Sequence, residues 1–244
     1  MEDAESADRI GRIAPQPMPW APLFKGLDGE KVAILQELHG PQRRAERDTQ
    51  IVRARDPAAP LITLSRGWAF RYSLLPDGRR QILSFALPGD TIGLDTLLIG
   101  APAYPVQAAT AVVYGTISHD KAKRLLHDAT WFRDRALQAL ARERAEAERA
   151  LTRMGQCKAE ESVASVLLDF YTRLASRGLA AGNQFMLDLT QQQLADFVGM
   201  TVVHLNRILG SLRSRRLLSI SGRTVTFLDV PGLERLALLP RNLD

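Results

Sequence analysis

Three kinds of hydrophobic spacing succeed one another along the 244 residues of the chain. The first is short and strand-like. Apolar runs recur at residues 50–53, 61–64, 69–75, 81–86, 106–109 and 112–118, with Pro76-Asp77-Gly78 and Pro88-Gly89-Asp90 as turn signals between them. Runs of this length, with such turn signals between them, predict a compact antiparallel barrel or roll rather than a parallel sheet. A helix at 30–38, stopped by Gly40-Pro41, precedes them.

The second spacing is helical and long. Residues 130–154 are dominated by Ala, Glu, Arg and Leu, all good helix formers. Leu137, Leu140, Ala147, Leu151 and Met154 fit a seam of alternating threes and fours that Arg144 interrupts. Such a seam either lies on the roll of its own chain or meets its twin in a second copy. Gly155 is expected to break the helix before another begins at 159–176, which makes 155–158 a hinge.

The third lies at 190–216. Thr190 suits an N-cap for a short helix with Leu194, Ala195 and Val198 on one side, and Gly199 has the freedom to end it. Thr201 can cap a second helix at once. There Val202, Leu205, Ile208, Leu209 and Leu212 make an apolar face, while His204, Asn206, Arg207 and Arg213 fall on or near the other. Leu217, Leu218 and Ile220, then Ser221-Gly222-Arg223, then 224–228 read as strand, tight turn and return strand. A plain helical hairpin with a solvated face would show the same two helices. A β-hairpin wing after them favours a DNA-binding helix-turn-helix.

Charge sharpens that reading. The formal net charge of +5 is modest, but between residues 199 and 223 stand Arg207, Arg213, Arg215, Arg216 and Arg223 with no acid at all. A surface facing phosphates explains this simply. Cys157 is the only cysteine, so one chain can form neither a disulfide nor an all-cysteine metal site. Residues 1–22 are polar and then rich in proline, which suits an extended or disordered arm, with Trp20, Leu23 and Phe24 docking where order begins. The start lacks the apolar core of a signal peptide, and no run approaches the ~20 apolar residues of a spanning helix, so a soluble cytoplasmic protein is expected.

Residues 189–229 resemble the C-terminal winged helix-turn-helix of the Crp/Fnr superfamily of bacterial transcription regulators. The shared pattern is L-T-x-x-x-L-A-x-x-V-G-x-T/S-x-x-x-x-x-R-x-L-x-x-L, followed by a wing with a central G-R or G-K, and the chain meets nearly every fixed position. Residues 61–69, 77–85 and 88–93 are similar to the cyclic-nucleotide-binding roll that precedes the DNA domain in the family, so the likeness runs from about 25 to 230. The resemblance implies an α+β chain with an N-terminal antiparallel β-roll of jelly-roll type, a long dimerisation helix and a C-terminal winged helix-turn-helix. The corresponding divisions are an arm at 1–22, the sensor roll at 23–128, helix and hinge at 129–156, and the DNA-binding domain at 157–244.

It also implies a homodimer on a palindromic site in double-stranded DNA, with RNA polymerase as a further partner. Thr190, Gln192, Thr201 and the wing residue Arg223 would hold phosphates, with Arg213 nearby. Val202, Val203, His204, Asn206 and Arg207, in the helix at 201–213, would face the bases, Arg207 occupying the position of the family's arginine. Val202 and Val203 replace the polar base readers of well-known members, so the target sequence should differ. The long-helix seam would be Leu137, Leu140, Arg144, Ala147, Leu151 and Met154.

The effector determinants depart further. Members that bind cAMP carry Gly-Glu-Leu and then Arg-Ser/Thr-Ala, where this chain has Gly93-Leu94-Asp95 and a second stretch around Gln107 with no arginine. The adenine-holding hydroxyls would fall near Ala147 and Glu148. Cyclic AMP is therefore not expected, since its phosphate would be buried without a countercharge. One cysteine cannot hold an iron–sulfur cluster. Haem stays open, with His39, His119, His127 or Met154 as axial candidates, as does a different effector or none. No metal site and no catalytic residues are expected. A cupin-like enzyme with a C-terminal partner-binding module is the rival class, against which stand the missing His-x-His pattern, nucleophile-base set and phosphate loop.

Overall fold

The computed structural model describes residue 23 and residues 25–237, so the arm at 1–22 and Phe24 lie outside the described residues. The described residues form two compact units, one within 23–73 and 84–142, the other within 74–83 and 143–237.

The first unit is a roll of two four-stranded antiparallel sheets. One has the order β1 (Arg43–Ala45), β8 (Val112–Ile117), β3 (Leu61–Arg66), β6 (Thr91–Ile92). The other has β2 (Gln50–Val52), β7 (Val106–Ala108), β4 (Ala69–Leu74), β5 (Arg80–Ala86), the β4–β5 tip at Leu74–Leu83 counting with the second unit. Ile62, Leu64, Ala69, Ile92, Val106, Ala108, Val112 and Tyr114 meet in one core. Each of the buried Ile, Leu and Val side chains among them is worth roughly 1.5–3 kcal/mol relative to exposure. The β3–β4 turn depends on Gly67, at φ +77°, where a Cβ would come within 2.2 Å of the Ala111 carbonyl oxygen. A second cluster joins Leu35 of α1 (Gly29–Leu38), Leu97 of α2 (Thr96–Ile99), Ala122 of α3 (His119–Asp128) and Phe132 of α4 (Thr130–Gln156). Leu23, the first described residue, is buried there too.

Helix α4 runs to Gln156, one residue past Gly155, and residues 157–158 separate it from the next helix at 159, within the 155–158 stretch expected to interrupt the two. Cys157 is half-buried between α4 and α5 (Ala159–Ala175).

In the second unit α5 is the central element. Val163, Ala164, Val166, Leu167, Phe170 and Leu174 are all buried along it. Around it pack α6 (Gln191–Val198), α7 (Val202–Ser214) and α8 (Val230–Ala237). A four-stranded antiparallel sheet, in the order β11 (Leu218–Ser221), β12 (Thr224–Phe227), β10 (Gln184–Met186), β9 (Ala180–Ala181), completes the unit. Tyr171, Phe185 and Phe227 meet edge-on or tilted beneath the sheet, with centroids 5.2 to 6.1 Å apart. No helix among the described residues is long and apolar enough to cross a membrane.

Candidate nucleic-acid interface

The helix pair is built from its caps inward. Thr190 is extended at φ −74° and ψ 156°, its Oγ1 accepts the Gln193 N–H at 3.1 Å, and the Gln193 side chain accepts the Thr190 N–H at 2.9 Å. This reciprocal cap satisfies two amides that the helix start would leave without partners. Gly199 takes the left-handed conformation at φ 72° and ψ 36°, which ends α6 and turns the chain. Thr201 then caps α7, accepting the His204 N–H at 3.2 Å. Both threonine hydroxyls accept in these caps and keep their own protons for an anion.

Helix α7 has two distinct faces. Leu205, Ile208, Leu209 and Leu212 are buried, while His204, Asn206, Arg207 and Arg213 are exposed and Val202 is half-buried. Val203 stands 72% exposed on that outer face. The structure thus brings Thr201, Val202, Val203, His204, Asn206 and Arg207 together on one end of one helix.

Several polar residues of this surface are already engaged. Asn206 Nδ2 donates to Gln191 Oε1 at 3.0 Å, and Gln192 Nε2 donates to Asp196 Oδ1 at 2.6 Å. Arg213 Nε bonds the Leu209 carbonyl one turn back at 3.3 Å. At the wing, where Gly222 has φ +57°, Arg223 Nη1 reaches Asp188 Oδ1 at 2.6 Å. Arg215 reaches Glu160 at 2.9 Å. Arg207 makes no ion pair with a described residue. The acids Asp188, Asp196 and Glu160 lie outside the acid-free stretch at 199–223, so its composition gave no sign of them.

On α4 the apolar seam faces outward. Leu137, Leu151 and Met154 are 54%, 70% and 57% exposed. Ala147 and Arg144 are exposed as well and Leu140 is half-buried. Arg144 pairs with Glu148 one turn on at 2.9 Å.

The roll has a narrow cleft lined by Arg71, Gly93, Asp95, Thr96, Tyr104 and Val106 among others, with room for about one water at 10 Å³. Arg71 Nη1 stands 3.7 Å from Asp95 Oδ2 across it. Of the residues expected around an effector, Gly93 and Asp95 are in this lining, whereas Leu94 is buried in the core and Gln107 donates to the Asp48 carbonyl at 3.1 Å. Ala147 and Glu148 belong to the second unit, where both are exposed on α4.

The axial-ligand candidates are scattered. His39 has both ring nitrogens occupied, Nδ1 2.6 Å from the Leu35 carbonyl and Nε2 3.2 Å from Thr63 Oγ1. A carbonyl only accepts, so Nδ1 carries the proton and Nε2 accepts from the threonine. Burial lowers this imidazole below its ordinary range, with the Leu35 hydrogen bond opposing. His127 is exposed beside Asp128, and His119 Nδ1 is buried without a hydrogen-bond partner among the described residues. No group of three or more His, Cys, Asp or Glu suited to a metal occurs among the described residues.

Comparison with known proteins agrees with this geometry. Residues 161–236 match the Crp-like helix-turn-helix domain and residues 42–129 the cyclic nucleotide-binding domain. The chain is 32% identical over 167 residues to the nitrogen fixation regulation protein FixK of Bradyrhizobium diazoefficiens, covering 68% of this chain and 69% of that one. It is 30% identical over 184 residues to the transcriptional activatory protein AadR of Rhodopseudomonas palustris, covering 74% of each. The solved structure of FixK2 from Bradyrhizobium japonicum superposes with a TM-score of 0.76 at 24% identity, over 83% of this chain and 99% of that chain.

Proposed function

The chain belongs to the Crp/Fnr family of DNA-binding transcription regulators, and from that premise we propose that it works as a homodimer that reads a two-fold symmetric site with α7. It is a regulator and not an enzyme. The observation that carries the proposal is the end of α7, where Val203, His204, Asn206 and Arg207 are exposed over a fully packed opposite face.

In this reading Arg207 grips a guanine through O6 and N7, and Val203 packs on a thymine methyl, a contact that rewards an exposed apolar side chain. Thr190, Gln192 and Thr201 hold phosphates through hydroxyls, an amide and helix-start N–H groups, with Arg213 and Arg223 adding charge. Two copies join along α4, where Leu137, Leu151 and Met154 would leave water. The close approach is permitted by Ala147, and Arg144 and Glu148 flank the seam.

Cyclic AMP is not the effector in this reading. Arg71, the arginine of the cleft lining, already faces Asp95 at 3.7 Å and so is not a bare countercharge for a cyclic phosphate.

Selection of genomic DNA by the purified protein tests the whole reading. One enriched palindrome is expected, bound by a dimer, with log affinity falling linearly against log salt by about 0.9 per phosphate neutralised. Enrichment of no sequence, or of a site bound by one copy, would overturn it.

A further inference from the structure

The tip of the β4–β5 hairpin, Leu74–Leu83, falls within the second unit, and there it is fastened to the first helix of the helix-turn-helix. Arg80 Nε and Nη2 both lie 2.8 Å from Asp196 Oδ2. The pair is mostly shielded, with side chains 24% and 12% exposed. Beside it, the two N–H groups of Gln81 Nε2 are shared among the Ile82 carbonyl at 2.9 Å and the backbone carbonyls of Asp196 at 2.8 Å and Phe197 at 3.3 Å. The latter two belong to the last turn of α6, whose carbonyls an α-helix leaves without partners of its own. Gln81 Oε1 also lies 3.9 Å from where a Cβ on Gly199 would stand, so the tip touches the turn between the two helices as well.

The Asp196 carboxylate has two neighbours, and that makes the contact more than a brace. Its Oδ2 takes Arg80, while its Oδ1 takes the amide of Gln192. The Gln192 amide has a second N–H to offer a phosphate. Left alone, however, a carboxylate one hydrogen bond behind a phosphate contact would repel the duplex it helps to hold. Arg80 cancels that charge from the side away from Gln192.

We propose that Arg80 and Gln81 are positioning residues for DNA binding: Gln81 sets the end of α6, and Arg80 neutralises Asp196 so that Gln192 can meet a phosphate. The inference rests on the DNA-reading surface proposed above. It makes the hairpin tip part of the binding apparatus although it lies more than a hundred residues from the recognition helix.

The test is a titration of the full-length protein against its selected site across a salt series, with Arg80→Gln, Asp196→Asn and the double variant beside the wild type. Arg80→Gln is expected to weaken binding about tenfold, as removal of one partner of a shielded charge pair does. The double variant, lacking both charges, is expected to return to within about threefold of the wild type, with the salt slope unchanged throughout. Gln81→Ala is expected to weaken binding without any rescue by Asp196→Asn. Thermal unfolding of each variant separates loss of fold from loss of affinity. Undiminished affinity in folded Arg80→Gln would overturn the proposal. So would a loss that the double variant does not repair together with a slope lower by about one, because Arg80 would then itself hold a phosphate. Wild-type protein that binds no specific site would instead refute the reading on which this one rests.

Discussion

Arg153 Nη1 donates to Asp169 Oδ2 over 2.8 Å from a side chain that is only 8% exposed, binding the end of α4 to the middle of α5. The same guanidinium carbon stands 5.8 Å from the centre of the Phe197 ring in α6, and that ring stacks on Phe170 at 5.9 Å. Three helices of the DNA-binding unit thus share one cation. Burial raises the Asp169 carboxyl above its usual range and Arg153 pulls it back, so each charge is tolerated because of the other.

Arg153→Met is expected to destabilise this unit by about 1 to 3 kcal/mol, less than for a fully enclosed pair because Asp169 retains 31% exposure. Urea unfolding followed by the far-ultraviolet signal measures it. Asp169→Asn in the same background should recover part of the loss. An equal midpoint for Arg153→Met and the wild type would show the pair to be idle.

Arg207→Ala is expected to cost about 1 to 3 kcal/mol of binding and to relax the preference at one position of each half-site. Competition against single-base variants of the selected site reads both effects. A uniform loss across all the variants would identify Arg207 as a phosphate contact instead.

Charges placed on the α4 seam should separate the copies without unfolding either one. Leu151 is 70% exposed in the single chain, so Leu151→Glu costs the fold little and costs a buried seam much. Sedimentation should show a monomer, with specific DNA affinity lower by about a hundredfold because paired half-sites are no longer bound together. A stable dimer of Leu151→Glu would place the interface elsewhere.

His39 gives the roll a pH dependence whose direction follows from its burial. Its folded value lies below the unfolded value of about 6.5, so the unfolded chain takes up the proton first. The contribution is whole above pH 6.5 and is lost as the pH falls from there through the lowered folded value. Unfolding midpoints of the roll at pH 7.5 and 5.5 should differ more for the wild type than for His39→Gln. Gly115→Ala should destabilise the same region, because its Cβ would fall 2.9 Å from the imidazole Cδ2. Equal pH shifts in wild type and His39→Gln would assign the dependence to other groups.

The helix-turn-helix was readable because its signals are local: Thr190, Gly199 and Thr201 fix two caps and a turn within twelve residues, and each does so in the structure. The long strands of the roll were readable from their apolar runs for the same reason. Strands β1 (Arg-Arg-Ala), β6 (Thr-Ile) and β9 (Ala-Ala) hold one large apolar side chain among the three of them, so they carry no run to read and exist through their neighbours, whereas β2 and β7, no longer than β1, lie in such runs. Helix α3, His-Asp-Lys-Ala-Lys-Arg-Leu-Leu-His-Asp, has an apolar stripe of only three residues, Ala122, Leu125 and Leu126, too few to stand out between a strand and the long α4. At the site, periodicity found the exposed face of α7 but not its polar partners. Asp188 meets Arg223 from 35 residues away and Asp196 meets Arg80 from 116, and no spacing rule reaches that far.

The wing brings its own counterion. Arg223 holds Asp188 at 2.6 Å and Arg215 holds Glu160 at 2.9 Å, so neither guanidinium reaches a duplex as a bare positive charge. If a phosphate takes the carboxylate's place, an internal ion is displaced in exchange, and fewer cations leave the nucleic acid than a tally of arginines would suggest. Affinity should therefore respond less steeply to ionic strength than that tally implies, and Asp188→Asn should make the response steeper.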